Sequence, residues 1–211
     1  MRVAELWRYP VKSLRGEPLR EAEIAPDGIP GDRALHVVDE RGLLTARTRR
    51  DLLLLQGTLA PSGEPRVDGH AWDSPEAAGR IRDAAGPSAR LVRSEGGHRF
   101  DDTHLLVATD GAIAWLGEDR RRFRPNLLIE GVDGLAERDW PGARLRVGDA
   151  LLHVRRVCKR CVMTTLDPDT AAVDACVLRR IDRELGGLFA LNCDVAQPGR
   201  VAVGDPVALM R

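Results

Sequence analysis

Lysine is almost missing from this chain. Of 32 basic residues in 211, only Lys12 and Lys159 are lysines. Codon bias alone can produce that ratio, but the two survivors stand in YPVKS and CKRC. There a compact ammonium would do something a planar guanidinium does not. A charge excess is missing too: 32 basic and 32 acidic residues leave a net charge of zero. A nucleic-acid partner therefore has no bulk electrostatic support. No apolar run is long enough to cross a bilayer, which needs about 20 residues, and MRVAELWRYP enters an alternating, strand-like pattern at once. These features point to a cytoplasmic protein with no membrane partner. Four cysteines are too few for a disulfide framework, and a CxxC pair in that setting reads as metal or redox chemistry.

What is present reads as mainly β with a few helices. Residues 1–70 alternate apolar and polar positions between closely spaced turns (LRGE, PDG, IPGD, DERG), and DLLLL reads as a short strand. This predicts a small N-terminal β domain over 1–70 and a second domain over 71–211. Ser74-Pro75-Glu76 predicts a helix capped by Ser and stopped near Ala85 by Gly86-Pro87. Thr109 or Asp110 opens a second helix, and 173–185 is amphipathic enough for a third. VGD occurs twice, at Val147–Asp149 and Val203–Asp205, predicting two similar strand corners.

The chemistry gathers around Cys158-Lys159-Arg160-Cys161. Neighbouring cations favour a thiolate over a thiol, and a thiolate can act as nucleophile, persulfide carrier or soft metal ligand. A zinc site would need two more ligands, and Cys176 and Cys193 occur singly. A thioredoxin-type pair would open a helix, whereas the following VMTT favours an extended chain. Two inert buried cysteines also fit the spacing. Elsewhere, Lys12, Ser13 and Arg15 flank the only tyrosine, Tyr9, and GDR places Arg33 after a turn. In FRPN, Pro125 forces Arg124 toward extended backbone beside Asn126, a pairing suited to phosphate or a polar heterocycle. Thr109-Asp110 offers a helix start with free N–H groups. Taken alone, YPVKS reads better as a surface turn and Thr109-Asp110 better as a plain N-cap. GDR also fits a hairpin with an exposed Arg, and FRPN reads as well as a charged loop at a strand entrance.

Their order is more specific. YPVKS, GDR, TDG, FRPN, CxRCxxTTxDPDT and a terminal VGDPV resemble the MOSC-domain proteins related to the mitochondrial amidoxime-reducing component, over nearly the whole chain. The resemblance implies a MOSC β-barrel with a smaller N-terminal β domain and a molybdenum cofactor (Mo-molybdopterin) bound between them. It makes Cys161 the molybdenum ligand and catalytic centre. Lys12 and Ser13 would hold the phosphate or pterin, and Arg33, Thr109, Arg124, Asn126 and Arg160 would complete the pocket. Asp167 and Asp169 would shape the turn behind the cysteine through Asx-type bonds. The implied activity is reduction of N-hydroxylated compounds. The chain has neither a ferredoxin-type cysteine array nor a Gly-rich dinucleotide fingerprint, so electrons would come from a separate protein. The alternatives are a sulfurtransferase carrying a persulfide on Cys161 and a non-catalytic cofactor carrier. The chain is shorter than typical members, mainly between the N-terminal strands and TDG.

Overall fold

The computed structural model describes residues 1–94 and 100–211. Among these, sixteen strands and three α-helices form one large sheet and three small ones. The large sheet joins the two ends of the chain. β1 (Arg2–Arg8) and β2 (Glu17–Leu19) lie beside β11 (Leu127–Glu130) and β10 (Leu105–Thr109). Then come β14 (Leu188–Gln197), β13 (Ala150–Lys159), β12 (Arg144–Val147) and β16 (Val207–Met210). Only β10 and β11 run parallel. Alternation drives the arrangement: Val3, Leu6, Leu145, Val147, Leu152 and Val154 point inward and share a core with Ile24 and Ile29.

The mainly-β class with few helices is as expected, but the large sheet is not a continuously laddered barrel. Its outer strands, β16 and β2, do not pair with each other. The start of β1 instead meets the turn before β16. Arg2 bridges Pro206, and Val3 N–H donates to the Asp205 carbonyl at 3.0 Å. Pro206 has no N–H to extend the ladder, and β1 soon turns to β2 for its partner.

A second core lies under the N-terminal strands. β4 (Leu35–Asp39) pairs with β5 (Gly42–Leu44) and with β9 (Arg90–Arg93), and α1 (Pro75–Ala85) packs Ala77, Ile81 and Ala85 among Val11, Leu35, Val37 and Leu52. Ser74 caps α1 by accepting from Ala77 N–H at 3.2 Å, as the SPE signal requires. β6 (Gly57–Leu59), β7 (Pro65–Val67) and β8 (His70–Ala71) form a small meander, and β3 (Glu21–Ile24) pairs with β15 (Gly199–Ala202). The two VGD corners meet: Gly148 N–H donates to the Pro206 carbonyl at 3.3 Å, and Asp149 N–H to that of Arg200 at 3.0 Å.

Two segments differ from the sequence-based expectation. DLLLL is not a strand; Arg50–Leu54 forms a 3-10 turn burying Leu52 and Leu53. VMTT is not extended either, because Val162–Thr165 forms a 3-10 turn. The Thr164 hydroxyl donates to the Cys161 carbonyl at 3.0 Å and that of Thr165 to Val162 at 2.8 Å. These back-bonds override the extended preference of β-branched residues. The third helix, α3 (Ala175–Leu185), starts two residues later than expected because Asp174 caps it.

Candidate active site

The two cores meet at a cleft of about 290 Å³ lined by Lys12, Ser13, Arg33, Arg124, Asn126, Arg160 and Cys161. Segments more than a hundred residues apart converge because β1 and β11 are neighbours in the sheet. YPVKS leaves the end of β1, FRPN enters β11, and CKRC ends β13.

Tyr9 organises the floor. Its backbone N–H donates to Asp32 Oδ1 at 2.7 Å, and its hydroxyl donates to the Pro125 carbonyl at 3.0 Å. The Cζ atoms of Arg33 and Arg124 lie 4.7 and 4.3 Å from its ring centroid, within cation–π range. Burial pushes the Tyr9 hydroxyl up to about 12. Burial likewise pulls Arg124 down to about 10, aided by repulsion from Arg33. Arg33 is paired with Asp32, whereas Arg124 has no ion pair among the described residues. Backbone strain marks the same place. Ser13 (φ 76°), Arg33 (φ 49°) and Arg124 (φ 56°) are left-handed, half of the six such non-glycine residues described, at about 1–3 kcal/mol each. Arg124 thus departs from the extended geometry that Pro125 predicts.

Asn126 lines the cleft but has little capacity left for a ligand. Its Oδ1 accepts from Arg33 and from Leu106 N–H, both at 3.2 Å, and its Nδ2 donates to Trp7 O (3.2 Å) and Asp32 Oδ2 (3.1 Å). It locks Arg33 in place. Ser13 Oγ accepts from Ala46 N–H at 3.0 Å, tying the loop after β5 to the cleft.

Cys158 and Cys161 are both half-buried, while Cys176 is exposed on α3 and Cys193 lies in the core, its thiol pushed up by burial. Arg160 Nη1 donates to Cys158 Sγ at 3.4 Å and Nη2 to the Phe123 carbonyl at 3.0 Å, while its Nε is buried without a partner. The guanidinium that faces Cys161 is that of Arg47. Burial lowers the Arg47 pKa, but the charges of Asp101 and Cys161 and hydrogen bonds to both outweigh it. Behind the cysteine, Asp167 Oδ1 accepts from Asp169 N–H (3.0 Å) and from the backbone and hydroxyl of Thr170 (both 2.9 Å). That is the Asx turn expected. Asp169 contributes instead through a two-pronged pair with Arg121 at 2.9 and 2.7 Å.

Thr109 is the one predicted site residue placed elsewhere. It is fully buried, accepts from Ala112 N–H at 3.3 Å as N-cap of α2 (Asp110–Leu116) and bonds Glu137 Oε2 at 3.3 Å. The whole TDG motif serves packing. Asp110 accepts from Gly111, Gly131 and Val132, and a Cβ on Gly111 would lie 2.1 Å from the Val132 carbonyl. Sequence reading missed Arg47, Asp101 and His104, which also line the cleft. None carries a local signal, since each is brought in by tertiary pairing.

Residues 1–118 match the MOSC N-terminal beta barrel domain, and residues 106–208 match the MOSC domain. The chain is 30% identical to human mitochondrial amidoxime-reducing component 1, over 99% of this chain and 82% of that protein. It belongs to the MOSC family, in the amidoxime-reducing-component group. A molybdenum cofactor sulfurase of Anopheles gambiae is 30% identical over 88% of this chain but only 33% of its own length. The fold also matches the YuaD protein of Bacillus subtilis, with a TM-score of 0.54 and 14% identity over 99% of this chain and 94% of that one. No helix among the described residues is long and apolar enough to cross a membrane.

Proposed function

We propose that this MOSC protein holds a molybdenum–pterin cofactor in the cleft and reduces N-hydroxylated compounds, taking electrons from a separate protein. The observation that carries the reading is Arg124. A guanidinium pulled down to about 10 by burial, with no ion pair among the described residues, is costly unless an anion completes it. The orphaned Arg160 Nε and the half-buried Cys161 thiol complete a donor set that suits an anionic, sulfur-ligated group.

In this reading Cys161 is the metal ligand. Lys12, Ser13, Arg124 and Arg160 hold the phosphate and pterin, and Arg33 and Asn126 keep Tyr9 and Arg124 in position. Thr109 supports the cleft indirectly by fixing α2 behind β10. When bound, the cofactor would supply the two-electron redox centre. The net reaction is R–NH–OH + 2e⁻ + 2H⁺ → R–NH₂ + H₂O, so the chain must provide a route for two protons. His104 lines the cleft with a buried Nδ1 that has no hydrogen-bond partner among the described residues, which suits that task. Two units, 1–70 and 71–211, belong to the same proposal, with α1 and β9 of the second packed back on the first. So does a cytoplasmic location.

Protein purified from a host that makes the cofactor should contain near-stoichiometric molybdenum and pterin. Cys161→Ala should lose almost all of the metal, and Cys158→Ala should keep it. Equal loss in both variants would mean that the ligand is misassigned. The likeness to a cofactor sulfurase supports a second reading, in which Cys161 carries a sulfane sulfur received from a partner. Metal-free parent protein with a trappable persulfide on Cys161 would favour that reading and sink the reductase.

A further inference from the structure

The segment before β10 places two consecutive acids on opposite walls of the cleft. Asp102 accepts from Arg156 on β13 at 2.5 Å and from Asn192 on β14. Asp101 reaches the other wall, where Lys12 Nζ lies 2.7 Å from Oδ1 and Arg47 Nη2 is 2.5 Å from Oδ2. The Lys12 side chain is only 15% exposed and that of Asp101 is 55% exposed. A solvent-side carboxylate therefore sits on a largely buried ammonium, one assigned above to the ligand, and also on the arginine that faces Cys161.

We propose that the Asp101 carboxylate is a built-in stand-in for the ligand's anionic group, occupying Lys12 and Arg47 until a phosphate-bearing ligand displaces it. The inference rests on the anion-binding reading of the cleft. A single carboxylate bridges two cations in the ligand-free protein, leaving a net charge of one to attract an anion, and it screens the seat against weakly charged anions. A phosphate ester or diphosphate carries more charge and more acceptor oxygens, and so outcompetes it. Displacement is easy because Asp101 is already half in water, where ion pairs are weak. Asp102 keeps its own partners, so the segment stays anchored while Asp101 swings out.

Inorganic pyrophosphate binding to metal-free protein, measured by calorimetry, tests this. Asp101→Asn should bind about tenfold more tightly than the parent. In a Lys12→Gln background the same substitution should gain about threefold at most, because only the Arg47 half of the seat that Asp101 occupied remains. Unchanged or weaker binding by Asp101→Asn would show that the carboxylate helps to hold the anion, and would overturn the proposal. An equal gain in the Lys12→Gln background would reduce the effect to a general change in field and overturn it too. Failure of every form to bind pyrophosphate, with all folded by circular dichroism, would remove the anion site itself.

Discussion

Within five residues, RRRFR treats its arginines in two ways. Arg120 Nε donates to Glu5 at 2.6 Å, Arg121 pairs with Asp119 and Asp169, and Arg122 lies 3.2 Å from Glu118. Arg124, two positions on, has only the face of Tyr9. The electrostatics diverge accordingly. Hydrogen bonds donated to Asp169 and Asp119 raise the Arg121 pKa, while burial lowers that of Arg124. The first three cations fasten their segment to β1, to the DPDT turn and to its own start. The fourth is held by backbone strain and an aromatic ring, with no direct ion pair among the described residues and only the charge of Asp32, already paired with Arg33, nearby, which leaves it open to an anion from outside.

The sharpest way to break this contrast is Arg124→Gln. It should lower affinity for the anionic cofactor about 100-fold, read as loss of bound molybdenum and pterin. The metal-free variant should melt no lower than the parent, because the substitution removes a half-buried charge that has no direct ion pair among the described residues. Unchanged metal content would show that Arg124 is structural after all.

None of that contrast is legible in RRRFRPN as a string. The family resemblance implies that YPVKS, FRPN and CKRC share a cleft, and the structure brings them together through adjacent β1 and β11. Alternation locates most strands, and the Ser74 cap and Gly86-Pro87 stop locate α1. What stays hidden is pairing. Which arginine finds a carboxylate depends on distant residues such as Glu5 and Asp169. The same holds for Arg47, which reaches Cys161 because Ser13 ties the β5 loop to the cleft. At Thr109, an N-cap and an anion-binding helix start look alike in sequence. The buried Glu137, 28 positions away, decides between them.

Tyr9→Phe separates the ring from its hydroxyl. Losing the bond to the Pro125 carbonyl should cost about 1–2 kcal/mol in urea unfolding, yet the ring would still lie under both guanidinium groups. Metal content should therefore hold. A loss of metal as large as that of Arg124→Gln would mean that the position of the FRPN backbone, and not the charge, is what the site needs.

Glu137 is the anionic counterpart of Arg124, a buried charge on the far side of β10 from any ligand. Burial raises its pKa above the ordinary 4.5. The unfolded chain then releases this proton first, so stability is fully present below 4.5 and is lost as pH rises through the raised value. Glu137→Gln should be about 1 kcal/mol more stable than the parent at pH 7, with the gain vanishing below pH 4.5. Metal content should not change, because Glu137 faces α2 and not the cleft. A simultaneous loss of metal would extend the functional region beyond the cleft walls.

Arg121→Gln should do least. Its partner Asp169 is exposed and Asp119 half-buried, and ion pairs so open to solvent contribute little. The melting temperature should fall by roughly 1–2 °C at low salt, with metal and pterin retained. Both carboxylates have pKa values below the ordinary 3.8, with Arg121 a main cause in each. The stability they contribute is present above that value and is lost as pH falls through the lowered ones. Parent and variant should therefore converge in acid, and also in high salt, where surface pairs are screened. If Arg121→Gln instead lost its metal, the DPDT turn would be aligning Cys161 through this pair. The division between fastening and ligand-binding arginines in RRRFR would then have to be redrawn.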